Sequence, residues 1–183
     1  MIPPRRPGSR LSHRSRKLLR TTHTLCSVGW FGAAVLVAVL ALTAAGTGDR
    51  TLAHALYRSI DASLAVTLTA GILALATGVA LSVGTHFGLL QQWWVTTKLT
   101  IALAVIATDV LVIHHAVGEA LHAPSAPRPL FGATVAHTVV LAAATVIAIY
   151  KPWGPTPRGR RKASARLTDS SPPRARTPVP PDR

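Results

Sequence analysis

Four side chains stand where chemistry is possible and water is scarce: His23, Lys98, Asp109 and His137. An imidazole binds metals or passes protons near neutral pH. A lysine amine pairs with anions, and a carboxylate beside an imidazole can hold a proton or hand it on. Lys98 and Asp109 are about three helical turns apart, so a single helix carries both on one face. His23 and Trp30 are about two turns apart and share a face in the same way. Asp61, His114 and His115 fall at the ends of apolar runs, and His122 follows. Adjacent histidines point about 100° apart on a helix, so His114 and His115 cannot chelate one ion as an i, i+4 pair does. With Cys26 the one cysteine and Met1 the one methionine, multi-cysteine and thioether metal sites are excluded. No catalytic residue and no metal site is assigned.

The elements that carry these residues are long and apolar. Residues 25–46, 62–84, 94–117 and 130–150 hold nearly all the apolar mass of a chain that is 49% hydrophobic. About 20 apolar residues are needed to cross the hydrocarbon core of a bilayer, and each run reaches that length. The first, second and fourth contain no Asp, Glu, Lys or Arg. A soluble amphipathic helix would show a polar stripe, and these do not. The expected fold is all-α: an antiparallel four-helix transmembrane bundle at 25–150, with short loops at 47–61, 86–93 and 118–129. The first run exceeds the roughly 7–15 residues of a cleaved signal and follows a basic leader, so it reads as a signal anchor.

Charge sets the expected orientation. The net charge is +14 with 20 Lys and Arg residues, and nearly all of these lie in the tails 1–24 and 151–183. Only Arg50, Arg58, Lys98 and Arg128 lie between. Basic segments stay on the cytoplasmic side, which puts both termini in the cytoplasm of a multi-pass plasma-membrane protein. The tails then meet anionic lipid headgroups. A nucleic-acid partner is not called for, because the tails lack interleaved aromatic residues apart from Trp153. The end of the chain, TDSSPPRARTPVPPDR, is polar and Pro-rich, so the basic C-terminal tail is expected to be disordered.

Inside the bundle, Lys98 follows Trp93 and Trp94, which favour the headgroup level. It either snorkels back to the phosphates or turns inward to form a cytoplasmic-side polar pocket with His23. Asp109 lies roughly 22 Å from that boundary, too deep for a short side chain to snorkel. A buried mid-helix Asp needs a partner, and His137 falls at a matching depth from the outer side. An Asp109–His137 hydrogen bond is therefore expected, as structural glue or as a proton or ligand site. His23 and His137 lie in opposite leaflets and cannot share one haem; His115 with His137 is a looser match. Ala70, Ala74, Gly78 and Ser82 form a small-residue ladder that should face a neighbouring helix.

The chain resembles a family of small four-span integral membrane proteins of high-GC bacteria without an assigned activity. The stretches that carry the resemblance are HTLCSVGWFG, TGVALSVGTHFGLLQQWWVTTKL, LVIHH and YKPWGPTPRGRRK, spanning about His23 to Lys162. More distantly, His23 with Trp30 and Trp94 with Lys98-Leu99 are similar to the copper-resistance D proteins and the J-type protoporphyrinogen oxidases. The oxidase resemblance implies a functional first-helix histidine, a lysine opening the third helix, and bound haem b. Those roles would fall on His23 and Lys98. His114 and His115 come later after Lys98 than that pattern has its next histidines.

Three function classes follow. The scarcity of polar groups and the ladder suit a non-enzymatic membrane subunit or scaffold that binds other membrane proteins or itself. His23 and Lys98 suit a haem- or metal-binding redox protein, with Asp109 and His137 as a proton route. Transport of a small solute or ion would need an oligomer and more polar lining, and no mid-span proline breaks a helix.

Overall fold

The computed structural model describes residues 12–84, 90–122 and 128–169. They form α1 (His13–Gly46), α2 (Arg50–Gly84), α3 (Trp93–His122), α4 (Arg128–Tyr150) and α5 (Pro157–Asp169). Among the described residues the architecture is all-α, the only β-type pairing being an isolated bridge between Gln92 and Pro155. The first four helices are each long and apolar enough to cross a membrane, which makes this a multi-pass protein.

The helices outrun the apolar windows. Ser12 caps α1, its hydroxyl accepting from the Ser15 N–H at 3.1 Å, so the basic stretch from His13 is already helical. Residues 13–24, expected as tail, therefore continue the first helix. The Asp49 carboxylate accepts from the N–H groups of Thr51 and Leu52 at 2.8 and 3.3 Å. That cap starts α2 at Arg50, so the loop expected at 47–61 shrinks to 47–49. The third helix likewise runs on through 118–122. The expected connections at 86–89 and 123–127, and the tail segments 1–11 and 170–183, lie outside the described residues.

The C-terminal tail is not wholly unstructured, as α5 occupies 157–169. Thr156 precedes Pro157 at the first helical position, and its hydroxyl accepts from the Gly159 N–H at 3.2 Å. The Lys, Arg and Ala residues that follow are good helix formers. Thr156 also ties two distant stretches together. Its hydroxyl donates to the Leu90 carbonyl at 2.6 Å and its N–H to the Gln91 carbonyl at 2.9 Å. Lys151 adds a cation–π contact, its Nζ lying 5.6 Å from the Trp94 ring centre. The start of α1 and this clamp lie at one end of the bundle, called the tail end; the 47–49 turn marks the far end.

Two apolar clusters fill the bundle. Tyr57, Ile60, Ile113, Val117 and Leu130 centre the one nearer the far end, and Trp30, Ala34, Ala74, Val105 and Leu141 the one nearer the tail end. The outer surface is also apolar, with Leu36, Val66, Leu111 and Val139 among the exposed side chains. Water would penalise such a belt, and lipid would not. The small-residue ladder faces α1 as expected: Ala74 is buried in the second cluster, and a Cβ on Gly78 would sit 3.1 Å from Cε1 of His23. α3 changes hand-hold midway, with a π-helical turn at Asp109–Ile113.

Candidate functional site

The tail-end half of the bundle holds a half-open cavity of about 590 Å³ lined by all four spanning helices. That volume suits a small-molecule or cofactor site. Arg20, His23 and Trp30 come from α1, Trp94 and Lys98 from α3, and apolar side chains of α2 and α4 complete it. Lys98 and His23 thus line the same space, which is the inward alternative of the two considered for Lys98. Arg20 is one of the basic residues of the 1–24 segment that set the expected topology. Its place one turn before His23 was the signal that it shares the site.

His23 is held firmly. Its Nδ1 lies 3.0 Å from the Ala74 carbonyl oxygen and 3.1 Å from Thr77 Oγ1. A carbonyl oxygen only accepts, so Nδ1 carries the proton and donates it. The Thr77 hydroxyl is occupied donating to Leu73 at 2.6 Å. In the neutral ring the lone pair then resides on Nε2, as in metal-ligating histidines whose other nitrogen donates to a backbone carbonyl. Gly78 makes this possible, since the ring rests against the helix where a side chain would stand.

A second, smaller site lies deeper. Asp109 and His137 are both buried, and their Oδ1 and Nδ1 approach to 2.9 Å. Sequence depth-matching anticipated this pairing. The anticipated hydrogen bond is not formed: neither carboxylate oxygen nor either ring nitrogen has an aligned hydrogen-bond partner. The contact is close but misdirected, because hydrogen-bond strength falls steeply as the donor angle closes. Trp30 connects the two sites. It lines the larger cavity, and its ring meets His137 edge-on at 6.2 Å and 85°. Gly71 seats the Trp30 ring, a Cβ there falling 2.8 Å from Cε2.

Asp61, His114, His115, His122 and Cys26 line neither cavity. His114 and His115 are exposed; His115 pairs with Glu119 at 3.3 Å on the surface, so it does not face His137 across a haem. His122 folds back on the Gly118 carbonyl at 2.7 Å. Asp61 is exposed. Cys26 is a free thiol packed beside the second cluster. Among the described residues no group of three or more His, Cys, Asp or Glu side chains is arranged to hold a metal ion. No protein-family model, curated protein or solved structure matches the chain.

Proposed function

We propose that this chain is a plasma-membrane protein with both termini in the cytoplasm that binds an anionic amphiphile, haem b foremost, in its tail-end cavity. The observation that carries the reading is the joint presence of His23, Lys98 and Arg20 on one largely apolar cavity of about 590 Å³. Apolar walls favour a greasy body, and the half-buried Lys98 with the exposed Arg20 at the same end favour carboxylate or phosphate groups on it. The basic tails support the orientation and would bind anionic headgroups. A purely scaffolding bundle gives less reason to set a half-buried Lys98 on the same cavity as a fixed histidine, where small apolar residues would pack at less cost.

The donor set fits haem. His23 offers Nε2 as a ligand with its other nitrogen already engaged. Lys98 and Arg20 would pair with propionates, and the four facing helices supply the walls, as cofactor sites in helical bundles do. Bound haem would supply one-electron chemistry, and the chain's part would be to hold it, offer His23 as a ligand and limit its contact with water.

The test is titration of the detergent-purified protein with hemin. A Soret shift saturating at one equivalent, and lost in His23→Ala, is the expected result. A wild type that leaves the hemin spectrum as detergent alone does would refute haem as the ligand.

A further inference from the structure

The larger cavity leaves Asp109 and His137 unused. Each is 6% exposed, and they sit between the two apolar clusters on every spanning helix. Two buried ionisable groups in low dielectric need their remaining lone pairs and protons satisfied. The described residues leave both carboxylate oxygens and both ring nitrogens without a hydrogen bond.

Against the pair lies a cavity of about 10 Å³, on the order of the room one water molecule needs for its centre. All four spanning helices reach it. Among the described residues Asp109 and His137 are the only titratable groups on its wall: α1 brings Ala34 and Val37, and α2 brings Leu64 and Thr67. Thr67 and Thr134 face it too. Their hydroxyl protons are spent on the carbonyls of Ser63 and Phe131, each at 3.0 Å, so they present only lone pairs. A water there has partners for both its hydrogens, in the carboxylate and a threonine oxygen. It has a donor for its own lone pair in the imidazole N–H.

We infer that Asp109 and His137 form a buried site for one water molecule and one exchangeable proton. Asp109 also opens the π-helical turn, and the His114 N–H donates to its carbonyl across the widened turn; such turns recur where side chains are aimed into sites. The inference holds whether or not the larger cavity takes haem.

The experiment is NMR on the full chain labelled with ¹⁵N-histidine in detergent micelles, with the His137 ring assigned by its absence in His137→Gln. The expected result is a ring N–H of His137 that shows a nuclear Overhauser contact to water and is lost by exchange in D2O sooner than the amides of Val105 and Leu141. In Asp109→Asn the water contact of that N–H should weaken and the ring nitrogen shifts should move. An N–H as long-lived as those amides with no contact to water, or ring shifts indifferent to Asp109→Asn, would overturn the inference. Should Asp109→Asn fail to fold, the wild-type exchange and water contact decide alone.

Discussion

Replacing Gly71 by alanine tests how tightly Trp30 is held. The new Cβ would lie 2.8, 3.0 and 3.3 Å from Cε2, Cζ2 and Cδ2 of Trp30. Carbon atoms rest at about 3.5–4.0 Å, so the ring must retreat by roughly 0.7 Å or more. It has little room. Trp30 is 4% exposed and abuts His137 edge-on. Overpacking of this kind costs about 1–3 kcal/mol. Alanine also gains about 1 kcal/mol of helix propensity over glycine, which the clash partly hides. Gly29→Ala supplies the control, for it shares the propensity gain and its Cβ meets nothing within 4 Å. Gly71→Ala should therefore be less stable than Gly29→Ala by about 1–3 kcal/mol, read from SDS-induced unfolding followed by circular dichroism. Its tryptophan emission should shift as well. Equal stability of the two variants, with unchanged emission, would refute the argument that Trp30 is locked against α2.

The paired burial of Asp109 and His137 gives a double-mutant cycle: Asp109→Leu and His137→Phe should each destabilise. The double variant should be less damaged than their sum by more than about 1 kcal/mol, measured by the same unfolding assay. Thr156→Val removes the hydroxyl bonds to Leu90 and Gly159 and should weaken the tail-end clamp by about 1–2 kcal/mol. Faster hydrogen exchange in α5 would show it, while Ser12→Ala should leave α5 untouched. Lys98→Met keeps the apolar stem and removes the charge; hemin affinity should fall about 10- to 100-fold, as seen in spectral titration.

The spanning helices were legible because apolar length alone fixes them: the runs 62–84 and 130–150 end within the observed α2 and α4. Where helices begin was less so, since caps at Ser12, Asp49 and Thr156 extend structure into charged sequence, and hydropathy is blind to a capping hydroxyl. Thr156-Pro157 carried a readable start signal that the surrounding charge and proline concealed. Helical phase and depth were enough to bring Asp109 to His137, but they left Lys98 between snorkelling outward and the wall it shares with His23. They could not give the angle of the acid–imidazole contact, which depends on how the π-helical turn and the Trp30 edge orient two side chains. Nor could they give the Ala74 carbonyl as the partner of His23, because a backbone acceptor leaves no trace in residue type. Gly71 and Gly78 look alike in sequence, yet each seats a different ring.

What occupies the tail-end cavity in protein drawn from a native membrane decides the central claim. Native mass spectrometry of the detergent-extracted chain should show one additional molecule per chain, of iron-porphyrin mass, absent from His23→Ala and depleted in Lys98→Met. A wild-type spectrum of bare polypeptide, indistinguishable from that of His23→Ala, would contradict it.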